Sequence, residues 1–145
     1  MIARGIGKPG RAGVPCRAAG TCPDEMDRMA PGRVGRRFFS LREARELLPT
    51  VKRLTAEAVR EAEALVSRLQ RIDEANPEHA RLNAELEAIV AAWTNTMREL
   101  NLEVKGLWLV DFDNGEGYYC WCYPEDAIRH FHGYQEGFAG RMPIM

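Results

Sequence analysis

Four polar side chains in the last third of the chain are of types that can hold a proton, an anion or a metal ion: Asp111, Glu125, His132 and Arg141. Asp111 interrupts an apolar run, Leu107-Trp108-Leu109-Val110-Asp111-Phe112, so folding carries a carboxylate into a half-buried place. A carboxylate there needs a partner, and Lys105, Arg129 or Arg141 can serve. An ion pair locking the strand to the C-terminal tail is one outcome; a general base with a shifted pKa is the other. No obvious nucleophile accompanies such a base in these motifs, and they hold no Walker loop, dinucleotide fingerprint or nucleophile elbow. Whether the chain is an enzyme, which residues are catalytic and which cofactor it uses stay unassigned at this level. Asp111, Glu125, His132 and Arg141 are the ligand-binding candidates.

Metal chemistry has three weak candidates, His130, His132 and Cys120. His130 and His132 form H-x-H, which on a strand puts both rings on one face. On a helix the two rings diverge by about 200°, and the sequence reads as helical there, which weakens the two-ligand reading. A histidine near a helix C-terminus then simply satisfies carbonyls and the dipole. Cys120 and Cys122 lie two apart on a predicted strand, point to one face and are poorly placed to pair with each other. Cys16 and Cys22 lie in the N-terminal segment. None of these spacings is the C-x2-C of a zinc ribbon, and reduced thiols are expected.

The elements that must position these groups follow from periodicity. Ser40-Leu41-Arg42-Glu43 is a capping box. Apolar residues then recur every three or four positions from Leu41 to Ile72, the repeat of a helix with one apolar stripe. Pro49 lacks an amide donor and disfavours helix at Leu48, so a short helix over 41–48 and a long one over 49–74 are expected. Asn76-Pro77 marks a turn, and the stripe Leu82, Leu86, Ile89, Trp93, Met97 and Leu100 predicts a second helix over 78–100. Two helices of similar length on a short link pack as an antiparallel hairpin with a limited core, which either the C-terminal part or a second copy must cover. Trp93 and Met97 read as core. After Leu102 the period changes to two. Residues 107–112 and 118–123 read as strands around a glycine-containing turn. Pro124-Glu125-Asp126 suits the start of a short helix ending near His132 and Gly133. The last residues read as an extended tail.

Charge divides the chain. Its 145 residues carry a net charge of −1, but residues 1–37 hold eight Lys/Arg against three Asp/Glu, for +5, and leave −6 for residues 38–145. Seven Gly and four Pro also crowd those 37 positions, so a disordered basic extension is expected before a single domain over 38–145. The extension reads as a targeting segment, or as preceding a working start at Met26 or Met29. Nucleic-acid binding is not expected of 38–145, and the basic extension leaves it open there. No stretch approaches the roughly 18 apolar residues needed to span a bilayer, and the N-terminus lacks an apolar secretory region. A cytoplasmic setting is expected.

Strung together, the motifs resemble the bacterial domain of unknown function 2203. They are Phe39-Ser40-Leu41-Arg42-Glu43-Ala44, Leu47-Leu48-Pro49, Val104-Lys105, Leu109-Val110-Asp111-Phe112, Cys120-Trp121, Glu125, Ile128, His132, Gly137-Phe138-Ala139-Gly140-Arg141 and Pro143-Ile144. The resemblance covers about residues 38–144. It implies a small bacterial cytosolic protein with no established activity, and it adds no substrate or catalytic residue. Asp111, Cys120, Trp121, Glu125, His132 and Arg141 match its motif positions. The chain departs from the pattern at Cys122 (usually basic), Pro124 (usually Gly), His130-Phe131 (usually an aromatic pair) and Gly133 (usually acidic), which counts against a metal site built on Cys122 or His130.

The expected fold is α+β: a long antiparallel helical hairpin, a two-stranded antiparallel β-hairpin and a short C-terminal helix. The leading functional expectation is a non-enzymatic interaction or scaffold protein, a homo-oligomer through its helices. The alternative is a small-ligand or metal-binding protein whose polar site lies between the β-hairpin and the C-terminal segment.

Overall fold

Ser40 starts the first helix in the way its sequence dictates. In the computed structural model, which describes residues 36–145, Ser40 Oγ accepts from the Glu43 amide and the Glu43 carboxylate accepts from the Ser40 amide. The expectations placed on residues 1–35, including the disordered extension, Cys16 and Cys22, lie outside the described residues.

Helix α1 (Leu41–Leu69) runs unbroken through Pro49. This corrects the expected division into 41–48 and 49–74. Proline removes one hydrogen bond, to the Arg45 carbonyl. Pro49 and Arg45 are exposed, so water can satisfy that carbonyl, while the flanking Leu48 and Val51 are buried in the core. Core burial on both sides of the proline outweighs one solvated carbonyl. Helix α2 (Pro77–Glu99) is capped by Asn76, whose side chain accepts from the Glu78 amide. Proline at its first position loses nothing, since that amide has no partner within the helix. The pairs Thr55–Trp93 and Arg68–Glu78 show that α1 and α2 run antiparallel. Trp93 Nε1 donates to Thr55 Oγ1 at 2.9 Å, which satisfies both buried polar atoms. No helix among the described residues is long and apolar enough to cross a membrane.

The C-terminal third corrects the expected two-stranded hairpin and short helix. It forms a five-stranded antiparallel sheet in sequential order: β1 (Glu103–Gly106), β2 (Leu109–Asp113), β3 (Gly117–Cys122), β4 (His130–Gly133) and β5 (Met142–Pro143). No helix starts at Pro124. The Glu125 carboxylate, expected to favour a helix N-terminus, instead accepts from the Cys122 amide, and the Glu125 carbonyl accepts from Trp121 Nε1. These bonds close a turn, and the chain returns to satisfy the free edge of β3. Gly117 makes that return possible, because a Cβ there would lie 2.5 Å from the His132 carbonyl oxygen.

The register sorts side chains onto two faces, since successive residues of a strand alternate. Val104, Val110 and Trp121 lie side by side on one face, as do Phe112, Tyr119 and Phe131. This face joins Leu48 and Val51 of α1 and Trp93 and Met97 of α2 in one hydrophobic core. Phe39 packs edge-on against Phe112, with ring centroids 5.5 Å apart. The opposite face carries Glu103, Asp111, Cys120 and His130 in one row, and Asp113, Tyr118 and His132 in the next.

Candidate functional site

The polar face buries groups that a solvated face would leave in water. Asp111 is 1% exposed, His132 3% and Cys120 0%. Asp111 sits on β2 and His132 on β4, two strands apart, which separates their backbones by about 10 Å. Their side chains nevertheless meet across β3, His132 Nε2 lying 3.0 Å from Asp111 Oδ2. His132 Nδ1 lies 2.9 Å from the Gly133 carbonyl oxygen. A carbonyl can only accept, so Nδ1 carries the proton and Nε2 is the nitrogen turned towards the carboxylate. Asp111 Oδ1 has no hydrogen-bond partner.

Cys120 completes this cluster. One donor atom each from Asp111, Cys120 and His132 all lie within 4.8 Å of one another. Burial raises the Asp111 carboxyl above the ordinary carboxylate range, against the pull of His132, Cys120 and Lys105. Burial and the neighbouring Asp111 push the Cys120 thiol up to about 12, with the Arg141 guanidinium opposing. Cys120 and Cys122 are both free thiols.

A second cluster lies on the same face. Arg141 Nη1 donates to Glu125 Oε1 at 2.8 Å, and His130 Nδ1, buried and without a hydrogen-bond partner, lies 4.0 Å from the same oxygen. Glu125 is thereby shared between the Cys122 amide and Arg141. The four sequence candidates thus fall into two pairs, Asp111 with His132 and Glu125 with Arg141. Asp111 pairs with none of the cations expected for it. Its partner is His132, and His130 and His132 share one face of a strand instead of diverging on the expected helix.

Four groups outside the sequence-based candidates flank the site: Arg36, Asp113, Tyr118 and Tyr134. Tyr134 donates to Asp113 Oδ1 at 2.6 Å, and Arg36 Nε donates to Asp113 Oδ2 at 2.7 Å. Burial alone would raise Asp113, but Tyr134, the Gly115 amide and Arg36 hold it below the ordinary carboxylate range. Tyr118 donates to Glu103 and packs against the His132 and Tyr134 rings. One signal could have found Tyr118: Tyr118 and Cys120 share parity on β3, so they point the same way. Nothing in the sequence marks Tyr134.

Asp111 and His132 line a cavity of about 360 Å³, walled by Lys105, Tyr118, Tyr134 and the start of the C-terminal segment at Gly137 and Phe138. The size suits a small molecule, and a buried carboxylate–imidazole pair supplies convergent polar groups on an otherwise partly apolar wall.

The sequence matches the family described as "Uncharacterized conserved protein (DUF2203)" over residues 37–144. No curated protein and no solved structure matches it.

Proposed function

The chain belongs to the DUF2203 family of uncharacterised conserved proteins, and we propose that it is a small-ligand-binding protein whose site is the cavity on the polar face of the sheet. One observation carries this reading. At the cavity wall a nearly fully buried Asp111 keeps one carboxylate oxygen without a partner while the other meets His132. A buried polar atom without a partner costs free energy. A bound ligand that donates to Asp111 Oδ1 removes that cost. Glu125 and Arg141 flank the site on the same face, holding the chain beyond β4 against β3, with the Arg141 guanidinium acting on Cys120.

The test is amide NMR of the full chain during titration with a fragment set of small carboxylic acids, amides and amines. The expected result is a fragment that shifts Tyr118, His132, Tyr134 and Gly137 together. Fragments that bind only along the helices, or no fragment affecting those four amides, overturn the reading.

A second reading, a homo-oligomer acting as a scaffold through its helices, draws support from the half of the helix pair distant from the sheet. There Val66 is exposed, and Leu86, Ile89 and Val90 are only partly covered. Light scattering at high micromolar concentration tests it, and a strict monomer contradicts it.

A further inference from the structure

We propose that Asp111, Cys120 and His132 bind a divalent transition metal ion of the zinc class, leaving one coordination position open to the cavity. This rests on the polar face being a binding site and names what sits at its floor.

The geometry has four parts. First, the three donor atoms lie within 4.8 Å of one another, with His132 Nε2 and Asp111 Oδ2 at 3.0 Å, near enough for small side-chain rotations to bring all three to one ion at metal–ligand distances of about 2.0–2.3 Å. Second, the His132 ring is already oriented as metal-binding imidazoles are. Its Nδ1–H donates to the Gly133 carbonyl, and Nε2 faces the cluster. Third, Asp111 Oδ1 is buried without a partner, and an ion would give it one. Fourth, the three donors are among the most enclosed side chains of the protein, so an ion there is shielded from bulk water except through the cavity.

The chemistry of the donors selects the ion. An oxygen, a nitrogen and a sulfur suit zinc and its neighbours, whereas calcium and magnesium take oxygen ligands. The carboxylate and a thiolate together balance the charge of a divalent ion, and binding releases the Cys120 thiol proton to solvent. Three protein ligands leave a fourth position for water or a ligand atom, the arrangement of open zinc sites. Lys105, Tyr118 and Tyr134 surround the space it would face. Cys122 and His130 share the face but lie outside the cluster, so they serve as internal controls.

The experiment is a cobalt(II) titration of the full chain after chelator treatment, followed by electronic absorption. The expected result is one equivalent of cobalt giving an intense thiolate-to-metal band and visible bands typical of four-coordination, all removed by zinc. Cys120→Ser removes the thiolate band, and Asp111→Asn and His132→Gln each weaken binding at least tenfold. Cys122→Ser and the double change Cys16→Ser/Cys22→Ser leave the spectrum intact. The wild-type titration stands even if a variant misfolds. No thiolate band in the wild type, or a band that survives Cys120→Ser and disappears with Cys16 and Cys22, overturns the proposal. If the metal fails while fragments still shift the cavity amides of the metal-free chain, the metal inference falls and the small-ligand reading stands; if both fail, both fall.

Discussion

The sheet face turned to the helices and the face turned away from them are both buried, yet their burial has opposite energetic consequences. On the helix side Val110, Phe112 and Trp121 reach zero exposure, and each removes apolar area from water at about 25 cal/mol per Å². On the other side Asp111, Cys120 and His132 are as deeply enclosed. There enclosure costs solvation of the polar groups, and the hydrogen bonds that could offset it are incomplete. One face is explained by folding alone. A buried polar cluster that folding alone does not reward is the ground on which the proposed binding role rests.

Four measurements break or sharpen this contrast. The largest effect is expected on the helix side. Trp121→Ala should cost about 3–5 kcal/mol in denaturant unfolding, through lost burial and a residual cavity. A cost under 1 kcal/mol would mean that this face is not the core. On the polar side the joint replacement Asp111→Leu/His132→Leu should be neutral or gain up to about 4 kcal/mol, because replacing both partners of a buried polar pair by apolar groups is often without loss. A large loss would make the pair a structural lock instead. Zinc at a hundredfold excess over its dissociation constant should stabilise the wild type by about 2.7 kcal/mol and leave that double variant unmoved. The smallest effect lies at the exposed start of α1. Ser40→Ala should cost about 1 kcal/mol through the lost helix cap. Bonds from Ser40 hold Glu43 below its ordinary value of 4.5. A depressed carboxyl contributes stability above its unfolded pKa, so the cap contribution should fade as pH falls below that value. Thermal melts across that range check it, and a cap contribution that grows towards low pH would contradict it.

The helices were legible because their signals are local. The capping box at Ser40 and Glu43 and the stripe through Trp93 and Met97 depend on neighbours three or four residues apart. Pro49 misled because its cost was weighed without the burial of Leu48 and Val51 on either side. The sheet was legible only in its central hairpin. β4 and β5 are short, and what forms them is pairing along a free edge, β4 on β3 and β5 on β4, rather than any local pattern of their own. The misreading of 124–132 as helix had a direct consequence for the site, since it turned His130 and His132 apart. Asp111 was recognised as a carboxylate in an apolar run. Its partner could not be, because pairing across two strands depends on a register that local sequence does not encode.

The proposed metal site on the polar face is built from Asp111, Cys120 and His132. Anomalous diffraction at the zinc edge, from crystals of the full chain grown with zinc, tests it most directly. One dominant peak bonded to Asp111, Cys120 Sγ and His132 Nε2 is expected, with further density at the open position towards Tyr118 and Tyr134. Peaks confined to other sites, with that position empty at saturating zinc, would contradict it.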